Sequence, residues 1–325
     1  MSTRTEIATL GEFGLIDHLT RNNETRHAST ILSVGDDAAV LDHFGKQVVV
    51  TTDLLIEGVH FDLVYTPLHH LGFKSVVVNL SDVYAMNAIP AQITVSVGIS
   101  NRFSVEAMEE FYEGVYAACE QYNVDLVGGD TTTSNKGFII SVTAIGEVTP
   151  DQFVTRSGAG KGDLICVSGD LGAAYLGLLL MEREKKIFLE SPSVQPDLES
   201  QGYILKRLLK PRARKDIIEF FEREGVVPTS MMDISDGLSS DILHVCKASN
   251  MGCLLYEDKL PVAEDSGGED YELLFTIKQE DYEKIVLNEQ ISVIGYITES
   301  SEGKQIITRS GNKHEITAQG WNPLK

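Results

Sequence analysis

The sequence is poor in positive charge. It has 27 Lys and Arg residues against 48 Asp and Glu residues, which gives a formal net charge of −21. Such a field repels polyanions, so a general role in binding nucleic acid or anionic membranes is disfavoured. The same field sets a condition on phosphate ligands, because metal cations would have to screen them from the carboxylates.

Long hydrophobic runs and paired cysteines are also missing. No stretch reaches the roughly 18 apolar residues of a membrane span, and the N-terminal segment 1–7 lacks the apolar centre of a signal peptide. We therefore expect a cytoplasmic protein. No Cys-x-x-Cys pair occurs, so the cysteines are expected to be reduced and buried rather than bonded to one another or to zinc. They are Cys119, Cys166, Cys246 and Cys253.

The common nucleotide-binding and hydrolase motifs are absent. The segment Gly158-Ala-Gly-Lys161-Gly162 has glycine where a P-loop requires Ser or Thr, and neither Gly-x-Gly-x-x-Gly nor Gly-x-Ser-x-Gly occurs at a suitable place. Arg156 precedes this segment. Its guanidinium is a candidate clamp for a phosphate, and the alternative is an ordinary solvated arginine.

Apolar periodicity alternates between strand and helix in both halves of the chain. A length of 325 residues favours two domains, and the pattern breaks between about 150 and 162. We therefore predict an α/β or α+β protein with domains at 1–150 and 151–325. Strands are predicted at 47–53, 91–99, 124–127, 138–148, 163–168, 252–256, 271–277 and 292–297. Helices are predicted at 68–87, 104–122, from 173, and at 203–209, 215–224 and 238–249.

Aspartates recur at predicted strand ends or beside glycine. The motifs are Gly35-Asp-Asp37, Thr51-Thr-Asp53, Asn79-Leu-Ser-Asp82, Gly128-Gly-Asp130 and Asp233-Ile-Ser-Asp236-Gly237. Each alone is equally typical of a turn or a helix cap, and Asp236 is a candidate N-cap. As a set they offer the hard oxygen ligands that Mg²⁺ prefers together with substrate phosphates.

These motifs, with Gly11-Glu-Phe-Gly-Leu-Ile16, Gly58-Val-His60-Phe, Thr155-Arg156-Ser-Gly and Gly267-Gly-Glu269-Asp-Tyr-Glu-Leu, resemble in order those of the bacterial thiamine-monophosphate kinases. The resemblance implies an N-terminal α/β domain that dimerises through its sheet and binds metal and ATP. It implies a C-terminal α/β domain that completes the ATP and substrate site, with the active site in the cleft between the domains. The implied reaction is the phosphorylation of thiamine monophosphate by ATP, the final step of thiamine diphosphate biosynthesis.

The resemblance also implies roles for individual residues. The implied ligands of several Mg²⁺ ions are Asp37, Thr51, Thr52, Asp53, Asp82, Asp130, Asp233 and Asp236. The implied ATP contacts are Gly129, Asp130, Arg156 and Ser235, and the implied thiamine phosphate contacts are His60, Glu269 and Trp321. The residues implied to act in catalysis are Asp53, Asp82, Asp130 and Arg156.

The lack of a clear catalytic dyad suits this chemistry. A phosphate acceptor is already ionised near neutral pH, so it needs no general base, and phosphoryl transfer depends chiefly on positioning and charge neutralisation. We expect direct in-line transfer without a phosphoenzyme.

One segment departs from the family pattern. Between Pro261 and Gly267 the chain is shorter than its relatives usually are, either through a true deletion or because a loop is omitted from the sequence. Among related enzymes, selenophosphate synthetase is disfavoured because no cysteine precedes Cys119, and the hydrogenase maturation factor because the sequence ends without cysteine. Aminoimidazole ribonucleotide synthetase remains a competing enzyme, and a non-catalytic metal- or nucleotide-binding protein is the alternative from another class.

Overall fold

The structure of the protein, a computed structural model, describes residues 5–34, 39–193, 198–262 and 270–318. The chain forms two compact units. The first comprises Met1–Val83 and Ala88–Pro150, and the second comprises Tyr84–Asn87 and Asp151–Lys325. Within the described ranges, no helix combines the length and the apolarity needed to cross a membrane. All four cysteines are free and buried, as the sequence predicts for their burial.

The first unit is built around a four-stranded sheet. Its elements are α1 (Gly11–Thr20), β1 (Thr30–Leu32), β2 (Val40–Leu41), β3 (Gln47–Ile56), α2 (Leu68–Ala85), β4 (Ile89–Ile99), α3 (Val105–Tyr122), β5 (Asp125–Thr133) and β6 (Ile139–Val148). The strand order is β3-β6-β4-β5, in which β4 and β5 are parallel and the other pairs are antiparallel. Strands β1 and β2 form a separate two-stranded sheet.

Helices cover only one of the two faces of the four-stranded sheet along β3. Helices α2 and α3 lie over one face, where the side chain of Val83 approaches Gly146 and the ring of Phe111 packs 5.1 Å from that of Phe138. The other face is open at β3, where Val50 is 63% exposed and Leu54 is 51% exposed. Because successive side chains of a strand alternate between faces, Asp53 lies on the face that the helices cover.

Strand β5 is longer than the sequence pattern predicts. The prediction was a short strand at 124–127 that ends in Gly128-Gly-Asp130, whereas β5 begins at Asp125 and continues through both glycines to Thr133. Parallel pairing with β4 supplies the hydrogen-bond partners. Gly129 is needed there because a Cβ at this position would lie 1.8 Å from the carbonyl oxygen of Val95. Asp130 is therefore a strand residue.

The second unit is built around a seven-stranded sheet with the order β13-β12-β9-β11-β7-β10-β8. Its elements are β7 (Leu164–Ser168), α4 (Ala173–Glu190), α5 (Gly202–Leu209), α6 (Lys215–Glu224), β8 (Ser230–Ile234), α7 (Leu238–Ser249), β9 (Gly252–Tyr256), β10 (Glu272–Ile277), α8 (Tyr282–Ile285), β11 (Ile291–Thr298), β12 (Lys304–Ile307) and β13 (Lys313–Glu315). Only β9 and β12 pair in parallel among these described strands. The mixed helix-and-sheet class that the sequence predicts is confirmed.

One face of α7 packs against this sheet and closes the core of the unit. Ile242, Val245 and Cys246 of the helix are buried with Ile165 and Leu274 of the strands. Helix α7 follows directly on the turn after β8, so the packing of its apolar face fixes where that turn lies. This turn carries Ser235 and Asp236.

Candidate functional site

In the first unit, strand β3 and helix α2 bring two carboxylates together. The hydroxyl of Thr51 donates to Oδ2 of Asp82 over 2.7 Å, and the backbone N–H of Asp53 donates to Oδ1 of Asn79 over 2.9 Å. Residues two apart on a strand share a face, and residues three apart on a helix share a face. Asp53 and Asp82 therefore lie in the same layer between the strand and the helix.

This layer makes ionisation of Asp53 costly. Burial, and then the nearby charge of Asp82, raises the pKa of Asp53 to about 6. Two carboxylates that share a partly desolvated space favour a shared proton or a bound cation, because either relieves their repulsion. The pair is thus suited to holding a divalent cation.

The donor atoms on this layer fit Mg²⁺ rather than a softer metal. They are two carboxylates and a hydroxyl, all hard oxygen donors. Within the described part of the chain, no group of three or more His, Cys, Asp or Glu residues is arranged to hold a metal by itself. Magnesium commonly takes one or two carboxylates and completes its octahedron with water and substrate phosphates. Asp53, Asp82 and Thr51 are therefore the residues that would hold it here.

The neighbouring Thr52 faces away from this pair. It is exposed, its hydroxyl donates to the carbonyl of Val142 over 3.0 Å, and it accepts a 3.1 Å hydrogen bond from the hydroxyl of Thr143. The structure therefore does not bring the Thr52 hydroxyl together with the carboxylates of Asp53 and Asp82.

Asp130 also lies apart from Asp53. Across the sheet, Asp53 is in register with Val142, then Val95, then Gly129, which places Asp130 one residue further along β5. Its side chain is therefore on the open face, opposite to that of Asp53. Three strand spacings separate the two strands, or roughly 14 Å. One ion coordinated by Asp53 cannot also be coordinated by Asp130 of the same chain.

His60 follows the C-terminal end of β3. Its Nδ1 accepts the backbone N–H of Ile56 over 3.0 Å, and its own backbone N–H donates to the carbonyl of the same residue. In the neutral imidazole an accepting Nδ1 leaves the proton on Nε2. His60 is thus held as a hydrogen-bond donor at Nε2, which suits contact with a phosphate oxygen.

In the second unit, three of the predicted site residues lie at the end of β8. Asp233 is buried within the strand and pairs in register with Leu273 of β10, while Ser235 and Asp236 are half-buried in the turn that follows. The N-cap of α7 is Gly237, and no side chain makes the capping bond. The candidate role of Asp236 as N-cap is therefore wrong.

A further carboxylate under this turn was missed by the sequence reasoning. Asp241, in the first turn of α7, is 1% exposed and accepts the backbone N–H of Gly237 over 3.1 Å. Burial, and then the charge of Asp236, raises the pKa of Asp241 to about 7, while the Gly237 N–H and the charge of Arg156 act in the opposite direction. An aspartate in the first turn of the predicted helix is visible in the sequence. The helix dipole alone favours an acidic residue at that place, so its presence does not by itself indicate a functional site.

The backbone of Arg156 is held at the C-terminal end of α7, the end opposite to this turn. The hydroxyl of Ser249, the last residue of α7, donates to the carbonyl of Arg156 over 3.3 Å and accepts the backbone N–H of Ala159 over 3.2 Å. The side chain of Arg156 is exposed. Its charge nevertheless acts on Asp241, where it opposes the charge of Asp236 and lowers the pKa.

A second buried network, also missed, surrounds Glu272 at the start of β10. Its carboxylate binds the guanidinium groups of Arg207 (2.8 Å) and Arg214. Arg207 also donates to the backbone carbonyl of Asp270 over 3.1 Å, and the carboxylate of Asp270 accepts the backbone N–H of Gly172 over 2.7 Å. The segment from Asp270 to Glu272 is therefore fixed by several charged contacts.

Three predicted site residues, Asp37, Glu269 and Trp321, lie outside the described residues. The same holds for most of the short segment 261–267.

Comparison with known proteins places this arrangement in a family. Residues 35–148 match the family model described as "AIR synthase related protein, N-terminal domain". The thiamine-monophosphate kinase of Bacillus subtilis (strain 168) is 30% identical over 338 residues, which cover 97% of this chain and 100% of that protein. That of Aquifex aeolicus (strain VF5) is 34% identical over 331 residues, which cover 96% of this chain and 97% of that protein.

A solved structure agrees with the sequence comparison. It is described as AaThiL complexed with AMPPCP and TMP, and it superimposes with a TM-score of 0.73 at 31% identity over 98% of this chain and 99% of that chain. Because the identity extends over nearly the whole of each protein, this chain belongs to the thiamine-monophosphate kinase family and is an enzyme, a kinase.

Proposed function

We propose that this protein transfers the γ-phosphoryl group of ATP to thiamine monophosphate and so makes thiamine diphosphate and ADP in the cytoplasm, as the final step of thiamine diphosphate biosynthesis. The observation that carries the proposal is the Asp53–Asp82 pair between β3 and α2, with its raised Asp53 pKa of about 6. It is supported by the related structure, which holds an ATP analogue together with TMP.

The proposed roles divide between the two parts of the chain. Residues 1–150 bind metal and ATP and form the dimer, and residues 151–325 complete the ATP and substrate site. We assign several Mg²⁺ ions to Asp37, Thr51, Thr52, Asp53, Asp82, Asp130, Asp233 and Asp236. We assign ATP to Gly129, Asp130, Arg156 and Ser235, and thiamine phosphate to His60, Glu269 and Trp321. The residues proposed to act in catalysis are Asp53, Asp82, Asp130 and Arg156.

The separation of Asp53 from Asp130 favours more than one metal ion. The two carboxylates lie on opposite faces of the sheet, three strands apart. The Thr52 hydroxyl is bonded to Val142 and Thr143 on the open face, so the assignment of Thr52 as a ligand rests on the family resemblance alone.

The chemistry follows from the state of the acceptor. A phosphate oxygen of thiamine monophosphate is ionised near neutral pH, so it attacks the γ-phosphorus directly while the bond to the β–γ bridging oxygen breaks and ADP leaves. Bound Mg²⁺ supplies the positive charge that lets the two polyanions approach each other. His60 would donate from Nε2 to the acceptor phosphate, and Arg156 would neutralise charge on ATP.

This division of labour needs no general base. His60 cannot accept a proton at Nδ1 without losing the hydrogen bond from the backbone of Ile56. The role that this geometry supports is therefore binding and orientation of the acceptor, rather than proton abstraction.

The activity is tested by turnover of the full chain with Mg-ATP and thiamine monophosphate, followed by release of ADP. We expect turnover with thiamine monophosphate and none with free thiamine or formylglycinamidine ribotide. Preference for free thiamine would overturn the acceptor, and turnover of the ribotide would assign the chain to the aminoimidazole ribonucleotide synthetase reaction instead. ATP binding without turnover of any of the three would favour a non-catalytic role.

The open face of the first unit supports the proposed homodimer. Val48, Val50 and Leu54 expose 46%, 63% and 51% of their area along one side of β3. A second copy of this face would cover them, because an uncovered row of branched aliphatic side chains is unusual in a monomer. Light scattering should give a dimer for the wild type and a monomer for Val50→Glu, and a monomeric wild type would remove the homodimer from the proposal.

A further inference from the structure

Asn79 is a polar residue in the most apolar part of α2. It is fully buried, as are Val76, Val77 and Leu80 around it. An asparagine is a poor helix former, and burial of an amide is unfavourable unless both of its ends are hydrogen-bonded. An asparagine at this position therefore lowers stability relative to an apolar residue, and neither helix formation nor core packing explains its presence.

Both ends of the Asn79 amide are bonded. Its Nδ2 donates to the backbone carbonyl of Ser75, one turn earlier, over 3.0 Å, and its Oδ1 accepts the backbone N–H of Asp53 over 2.9 Å. The Ser75 bond fixes which end of the amide faces β3. The Asp53 bond then ties the helix to the main chain of the residue that carries the candidate metal-binding carboxylate.

A second bond joins the same helix to the same strand. Asp82 lies three residues after Asn79, and its carboxylate accepts the hydroxyl of Thr51, two residues before Asp53. Two points of attachment, three residues apart on the helix and two apart on the strand, prevent one element from sliding along the other. The bond at Asn79 is the one that restrains the backbone of Asp53 itself.

We propose that Asn79 is a positioning residue that sets the spacing of the Asp53 and Asp82 carboxylates for Mg²⁺, an inference that rests on the proposed function. Its neutral amide makes this contact without adding a third negative charge beside the pair. An aspartate at the same position would keep an acceptor oxygen but would increase the repulsion. Asn79 itself touches neither the metal nor the substrates.

The test is the Mg²⁺ requirement for binding of AMPPCP, an ATP analogue, measured by calorimetry on the full chain. Asn79→Leu removes both bonds of the amide at similar volume. We expect the Mg²⁺ concentration for half-maximal AMPPCP binding to rise on the order of tenfold, as when other residues that orient metal ligands are lost. Turnover with thiamine monophosphate should recover largely at saturating Mg²⁺, because Asp53 and Asp82 are still present.

Val76→Ala is the matched control. It lies on the same helix, it destabilises α2 through lost packing, and it leaves both bonds of Asn79 intact. It should lower the melting temperature with a wild-type Mg²⁺ requirement. If Asn79→Leu does not fold, Asn79→Ala carries the same comparison.

The possible outcomes distinguish the positioning role of Asn79 from the proposed function on which it rests. Wild-type Mg²⁺ dependence in the Asn79 variants, with Mg²⁺-dependent binding in the wild type, overturns the positioning role and leaves the proposed function standing. A wild type that binds AMPPCP without regard to Mg²⁺ overturns the metal assignment and the inference together. A raised requirement in the Asn79 variants alone supports both.

Discussion

Each unit contains a pair of aspartates in which one comes from a strand or its exit and the other from a helix. In the first unit the pair is Asp53 and Asp82, and in the second it is Asp236 and Asp241. In each pair, burial and the partner carboxylate together raise the pKa of one member, to about 6 at Asp53 and to about 7 at Asp241. Each of the two sheets thus carries a pair of aspartates in which one carboxyl has a raised pKa.

The two pairs differ in what holds them and what balances them. Side chains hold the first pair, through Asn79 and Thr51, and the causes of the shift at Asp53 are burial and the Asp82 charge. The backbone N–H of Gly237 and the charge of Arg156 oppose the shift at Asp241. The second pair therefore has part of its counter-charge within the chain, in the side chain of Arg156.

The largest expected effect is on turnover, and it should differ between the two aspartate pairs. Asp53→Asn should reduce turnover at ordinary Mg²⁺ by at least about a hundredfold, because a metal ligand contributes several kcal/mol to stabilising charge in the transition state. Asp241→Asn keeps the acceptor for Gly237 and should lose about tenfold or less, the low end of the range for supporting residues. The measurement is steady-state kinetics with thiamine monophosphate and ATP.

Asp130→Ala provides a further arm of the same experiment, since Asp130 lies on the other face of the sheet. We expect both Asp130→Ala and Asp53→Ala to abolish turnover, with unchanged circular dichroism. Near-normal activity of Asp53→Asn or Asp130→Ala would remove the metal-cluster assignment, and equal losses at Asp53 and Asp241 would erase the distinction between the pairs.

A smaller effect is expected on the stability of the metal-free protein, whose dependence on pH should differ between the two aspartate pairs. A carboxyl whose folded-state pKa is raised binds its proton more tightly in the native state than in the unfolded state. It therefore costs stability as pH rises through the folded pKa, and the cost vanishes below the unfolded pKa near 4. Asp241→Asn removes this cost, and at pH 8 it should stabilise the protein by up to about 4 kcal/mol.

The two pairs should differ in the pH at which the stability difference levels off. The stability difference between Asp241→Asn and wild type should grow from about pH 4 and level off above about pH 7, and that for Asp53→Asn should level off above about pH 6. Urea unfolding from pH 4 to pH 8 in the presence of a chelator measures both curves. Two curves that level off at the same pH would show that the pairs have the same electrostatic environment, and a difference that grows towards low pH would reverse the sign assigned here.

The sequence predicts those parts of the fold in which local signals and packing agree. Helix α3 begins after Ser104, whose hydroxyl accepts the N–H of Ala107 as a capping residue should, and β6 alternates as its sequence does. Strand β8 was not predicted, because Ser230-Met-Met-Asp-Ile234 does not alternate. The predicted strand ended before the second half of β5 because two glycines weaken a strand locally. The pairing of β5 with β4, which stabilises this half, is a long-range interaction.

The candidate site was predictable as a set of motifs but not as a geometry. The aspartate motifs identify Asp53 and Asp82, and the helix and strand periods indicate their elements. The Asn79 contact with Asp53 and the burial of Asp241 depend on how elements pack, which residue spacing does not encode. The opposite orientations of Asp53 and Asp130 depend on sheet register, and their separation needed the strand order β3-β6-β4-β5.

The smallest expected effect tests whether Arg156 balances the second pair. Its positive charge favours the ionised form of Asp241, so Arg156→Met should raise the pH at which the Asp241→Asn stability difference levels off. The shift should be less than about one unit, because the Arg156 side chain is exposed and solvent screens its charge. Arg156→Lys keeps the charge and serves as the control, with a smaller shift than Arg156→Met. An unchanged levelling-off pH in Arg156→Met would mean that Arg156 does not balance the charge of the second pair.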